Sequence, residues 1–194
     1  MIQSTFELPQ GYALARRVDL QKDKKLFWLV NGLSLTIAMI MIPTGALAGP
    51  SFTAWYQAFP WYGWIGLAAG MIAYIVLHEA VHGVAIRLYS GRWGHFGFTG
   101  AYAYAGSTAY FAKKPYAVIA LSPVVVWGAV CALGGALCPA LFWPFYIVQI
   151  INLSGAAGDY YVSYLLCRLP ADVLIQDDGV SMAFYTRHDG PKDE

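Results

Sequence analysis

His78, Glu79 and His82 stand in the pattern His-Glu-Ala-Val-His. Four residues of helix advance about 400°, so both histidines fall on one face, one turn apart. Two imidazoles placed this way can hold one zinc ion, and the glutamate beside the first can take a proton from an attacking water. The competing reading is a polar contact between two helices. The motif sits inside a long apolar run, residues 62–86. An ionised carboxylate at the centre of a membrane helix costs about 2.5–3.5 kcal/mol, and such a residue is functional by default.

Zinc takes a third protein ligand. Outside the motif, Asp159 is the only acidic residue in any of the long apolar runs. Its depth fits: His78 precedes Arg87 by nine residues and Asp159 precedes Arg168 by nine. That distance is about 13 Å of helix. A carboxylate beside a cation stays ionised, which offsets its burial. The alternative is an aspartate near a helix end, close to Arg168. Asn152 lies seven residues, two turns, before Asp159. Its amide can donate to a developing oxyanion or make an interhelical hydrogen bond. Gly155, Ala156, Ala157 and Gly158 make this stretch small-sided, and Gly83 follows His82, so two helices can approach closely.

The elements that must position these groups follow from composition. Of 194 residues, 58% are hydrophobic and only 12% charged, against roughly 25% charged in a soluble domain. This excludes a disordered chain. A net charge of +1 without a basic stripe excludes a nucleic-acid partner. The expected fold is an all-α membrane protein with about four transmembrane helices, near 26–48, 62–86, 116–137 and 144–166. All twelve Lys and Arg residues then fall on one side, which the positive-inside rule makes cytosolic, with both termini. Trp55, Tyr56, Trp61, Trp64 and Trp143 flank the outer connections as an interfacial belt. Pro123 falls in the third run, where it can kink the helix beside the site.

Three further segments carry expectations. Residues 1–25 read as a cytosolic arm without a signal peptide, with a short surface helix. Tyr102 and Tyr104 alternate with Ala101, Ala103 and Ala105, so 91–114 forms either a short membrane-associated β segment or an interfacial loop, with His95 structural. The tail 169–194 reads as a cytosolic hairpin, Asp177 and Asp178 being turn residues and the reserve metal ligands. Cys131, Cys138 and Cys167 form no CxxC pair and read as buried or interfacial thiols.

His78-Glu79-Ala80-Val81-His82 and Asn152 through Asp159 (NLSGAAGD) resemble the site-2 protease family of intramembrane zinc metalloproteases, and in particular its small bacterial zincin-like branch. The resemblance covers about residues 62–168. It implies that His78, His82 and Asp159 bind Zn2+, that Glu79 is the base and that Asn152 assists. It also implies a membrane protein or peptide as substrate and a bacterial cytoplasmic membrane as location. The family pattern carries Pro after the Asn and Gly after the Asp; here Leu153 and Tyr160 stand there. The expected function is an intramembrane zinc metalloprotease. The alternatives are a zinc-binding membrane protein without protease activity and an ion- or proton-translocating subunit. Four histidines are too few for a membrane di-iron oxygenase.

Overall fold

A computed structural model describes residues 3–19, 22–100 and 102–187. Ala101 and Lys192, which entered the alternation and charge patterns above, lie outside the described residues. The helices are α1 (Lys24–Ala48), α2 (Phe52–Ala58), α3 (Trp61–Ser90), α4 (Lys113–Leu137), α5 (Phe142–Gly155) and α6 (Ala157–Arg168). The strands are β1 (Ser4–Thr5), β2 (Tyr12–Asp19), β3 (His95–Phe98), β4 (Ala103–Gly106), β5 (Tyr110–Ala112), β6 (Leu174–Asp177) and β7 (Ser181–Arg187).

Helices α1, α3 and α4 are long and apolar enough to cross a membrane. Each exceeds the 20 residues or so that a hydrocarbon core of about 30 Å requires. Their apolar side chains point outward as well as inward: on α1, Trp28 is 72% exposed and Leu47 88%. A surface of this kind suits an apolar solvent. The expected fourth helix is instead a bent pair. Residues Pro139–Gly155 and Ala157–Arg168 meet at 41°. The connection 49–61 contains α2, which Ser51 caps by accepting from the Ala54 N–H at 3.2 Å.

The chain divides into two compact units. One holds Met1–Phe27, Glu79–Ser122 and Asp159–Glu194; the other holds Trp28–His78 and Pro123–Gly158. Helices α1, α3, α4 and α6 contribute to both. In the first unit a five-stranded antiparallel sheet runs in the order β1-β5-β6-β7-β2. Phe111, Ile175 and Phe184 are fully buried on its strands, and Val173 is fully buried just before β6. A separate hairpin pairs β3 with β4, His95 opposite Gly106 and Phe98 opposite Ala103. Within 91–114 the expected β segment forms: His95–Phe98 pairs with Ala103–Gly106, and Tyr110–Ala112 joins the larger sheet, while Lys113 and Lys114 open α4. In the second unit, Trp143 sits among Phe52, Trp55, Phe142 and Tyr146, in a cluster of aromatic rings.

The N-terminal arm differs from its expected surface helix. Residues 12–19 form an edge strand on β7, Tyr12 opposite Arg187 and Asp19 opposite Ser181, with a break in register between Leu14 and Arg16. The strand was hidden because one face does not alternate with the other. Arg16 and Arg17 sit side by side and exposed, as edge strands favour, since charge there discourages pairing with another chain.

The C-terminal hairpin forms as expected, and its turn is held by the two aspartates. Asp178 Oδ1 accepts from the backbone N–H of Val180 at 2.9 Å and of Ser181 at 2.6 Å. Asp177 Oδ1 accepts from the Gly179 N–H at 2.8 Å, and the Tyr116 hydroxyl donates to Oδ2. Gly179 takes φ = 84°, where a side chain would be strained. Burial pushes the Asp177 carboxyl from 3.8 up to about 6, against the pull of those two hydrogen bonds. The folded chain therefore holds this proton more tightly than the unfolded chain. Its contribution to stability is fully present below about pH 4 and is lost as pH rises through 6. Asp177→Asn, which cannot ionise, should gain thermal midpoint relative to the wild type as pH rises from 4 to 7 in detergent. A constant difference across that range would contradict the assignment.

Candidate metal centre

Helix α3 runs unbroken through His78, Glu79 and His82, so its own geometry sets the two histidines one turn apart. Each imidazole has its Nδ1 engaged.

His82 Nδ1 lies 2.9 Å from the Ile119 carbonyl oxygen. A carbonyl only accepts, so Nδ1 carries the proton. In a regular helix the Ile119 carbonyl would bond the N–H four residues on. That residue is Pro123, inside α4, which has no N–H. The carbonyl is released from the helix ladder and also accepts from the Ser122 hydroxyl at 3.0 Å. With Nδ1 protonated, the neutral ring carries its lone pair on Nε2.

His82 Nε2 stands 3.7 Å from Asp159 Oδ1, with both side chains mostly buried. The gap is too wide for a hydrogen bond. Two tetrahedral zinc ligands with bonds of 2.0–2.1 Å stand about 3.3 Å apart, so the gap is of the size an ion spans. Asp159 lies in the first turn of α6, where free N–H groups and the helix dipole favour a carboxylate. His78, His82 and Asp159 each offer one ligand atom, all within 4.8 Å of one another. Two nitrogens and one carboxylate oxygen are a donor set that zinc accepts in catalytic sites, leaving a fourth position open. The residues present fit the ion.

His78 Nδ1 lies 2.9 Å from the Tyr74 hydroxyl oxygen, and that hydroxyl donates to Asn152 Oδ1 at 3.1 Å. Asn152 is fully buried. Its Nδ2 donates to the Val124 carbonyl at 3.2 Å and to Gln149 Oε1 at 3.4 Å. The amide therefore joins α5 to α4 and α3, the interhelical alternative of its two expected uses. Tyr74 escaped the sequence reading, although it sits four residues before His78 and so on the histidine face. Glu79 is half-buried and follows His78 directly.

The other candidates have structural settings. His95 Nε2 lies 3.0 Å from the Asp178 carbonyl oxygen, tying β3 to the C-terminal turn. Asp177 and Asp178 are committed to that turn. Gly83 does make a close approach, but to the β3 hairpin: a Cβ there would stand 2.3 Å from the Phe96 ring. In the small-sided stretch it is Ala156 and Ala157 that are buried, whereas Gly155 and Gly158 have nothing within 4 Å of an added Cβ.

Pro123→Ala restores an N–H opposite Ile119. The helix should gain stability, by up to about 3 kcal/mol in thermal unfolding. His82 should lose its single tautomer, seen as averaging of its imidazole 15N shifts in the metal-free protein. Unchanged shifts would show that Pro123 does not set the His82 hydrogen bond.

Comparison with known proteins points to a peptidase family. A family profile described as "Putative zincin peptidase" matches residues 71–174, a segment that holds Tyr74, His78, Glu79, His82, Asn152 and Asp159. A Pyrococcus woesei protein described as an uncharacterized 24.7 kDa protein in the gap 5' region is 26% identical over 121 residues, 60% of this chain and 53% of that protein. The chain thus spans about half the length of this curated relative. No solved structure matches the chain. More than half of the chain lies in the matched segment, and it belongs to this zincin-like metallopeptidase family.

Proposed function

We propose that this chain is an intramembrane zinc metalloprotease of the site-2 protease kind, hydrolysing peptide bonds of membrane-embedded or membrane-proximal substrates. The observation that carries the proposal is the facing pair His82 and Asp159, 3.7 Å apart, with His78 one turn away on the same apolar helix. His78, His82 and Asp159 would hold the ion. Zinc bound there supplies Lewis-acid polarisation of the scissile carbonyl. Glu79 takes the proton of the attacking water and returns it to the leaving amine, a role that suits a half-buried carboxylate at the ligand set. Helix α3, which carries the motif, is long and apolar enough to hold this chemistry within the bilayer. The basic residues face the cytosol, both termini lie there, and water enters from that side.

The test uses detergent-purified full-length protein. About one zinc per chain is expected in the wild type, and none in His78→Ala, His82→Ala or Asp159→Ala. Glu79→Gln should keep its zinc while cleavage of single-span peptides in proteoliposomes falls at least about 100-fold. Zinc binding with cleavage indifferent to Glu79 would leave a metal-binding membrane protein instead. Absence of zinc in the wild type, even after addition of the metal, would overturn the proposal.

A further inference from the structure

We propose that Tyr74 and Asn152 are positioning residues that fix the tautomer and ring orientation of His78, through a one-way hydrogen-bond chain anchored on the Val124 carbonyl. The inference deepens the metal-site reading above and, for its zinc arm, rests on it.

The chain of hydrogen bonds is fixed at its far end. The Val124 backbone carbonyl can only accept, so the Asn152 atom 3.2 Å from it is the amide nitrogen. This sets the flip of the amide and turns Oδ1 toward Tyr74. Oδ1 can only accept as well, so the single phenolic proton of Tyr74 goes to Asn152. The tyrosine oxygen then presents a lone pair to His78 Nδ1, 2.9 Å away. Only a protonated Nδ1 satisfies that contact. In the neutral ring the lone pair then lies on Nε2.

Burial gives the chain its force. Asn152 is 0% exposed and Tyr74 5% exposed. In such surroundings an unmet donor or acceptor costs more than a satisfied pair contributes. The opposite tautomer would set two lone pairs against each other at 2.9 Å. The edge of the Tyr74 ring also meets Trp127 at a centroid distance of 5.4 Å, which holds the phenol in place. The arrangement parallels His82, whose Nδ1 proton goes directly to the Ile119 carbonyl. Both chains end on backbone carbonyls of α4. His78 needs two intermediaries, and they are Tyr74 and Asn152. An outer partner of this sort is commonly worth 10–100-fold in metal affinity.

The experiment measures two quantities in full-length protein in detergent. The first is the imidazole 15N shifts of His78 in metal-free protein, assigned with His78→Ala. The second is the zinc dissociation constant by chelator competition. The wild type should show the Nδ1–H tautomer at His78. Tyr74→Phe should populate the Nε2–H tautomer and raise the dissociation constant about 10–100-fold. Asn152→Ala should act in the same direction without relying on loss of the phenol. The double variant should be no weaker than the stronger single one, because both act along one chain. A His78 tautomer unchanged in both single variants would overturn the inference, whatever zinc does. Lower thermal stability with unchanged tautomer and zinc affinity would make the two residues structural only, and would also overturn it. A wild type that binds no zinc, with a tautomer that still responds to Tyr74→Phe, would sink the metal reading and uphold the chain.

Discussion

A polar atom taken out of water must find its partner inside the protein, and the candidate site is built around that requirement. Helix α3 carries two imidazoles and a carboxylate in an apolar setting. Each imidazole has one N–H to place, and each placement decides which nitrogen remains a base. His82 uses the Ile119 carbonyl, which Pro123 releases from the helix ladder. His78 uses Tyr74, which in turn uses Asn152 and the Val124 carbonyl. A defect in one helix, the missing N–H of a proline, thus becomes the acceptor that another helix lacks.

The same requirement accounts for the break between α5 and α6. In a continuous helix Asp159 would sit mid-helix, with every nearby N–H engaged. The 41° bend leaves it in the first turn of α6, where N–H groups are free and the dipole favours negative charge. A carboxylate is thereby tolerated opposite His82. In the sheet of the same unit the buried Phe111, Ile175 and Phe184 stand opposite one another across neighbouring strands. Phe96 of the β3 hairpin fits against Gly83, one residue past His82, where a side chain would force the ring to shift. The hairpin is tied again through His95 to the turn that Asp177 and Asp178 hold.

The candidate ligands were legible from residue types and spacing. The i, i+4 spacing of His78 and His82 is local, and helix geometry alone turns it into a shared face. Asp159 could be reached because ionisable groups are rare in apolar runs. Three long helices and the C-terminal hairpin were legible for the same reason, since runs of apolar residues and Asp-Asp-Gly turns act over short distances. The N-terminal strand was not, because Tyr12–Asp19 pairs with residues about 170 positions away and lies on a sheet edge where alternation is not enforced. Nor was the bend at Ala156, because no proline marks it and its neighbours are all small.

The sequence by itself determined which side chains could serve as ligands and base, and that the helix bearing them is apolar. Periodicity and hydropathy are properties of neighbouring residues, and they survive without any knowledge of the fold. Only the tertiary structure decided how those side chains are oriented. The tautomer of an imidazole depends on what its other nitrogen meets, and here those partners are Ile119, 37 residues away, and a chain through Asn152, 78 residues from Tyr74. Contacts between residues so far apart in sequence arise from packing, and packing gave Tyr74, Pro123 and Asn152 the places that spacing alone did not reveal.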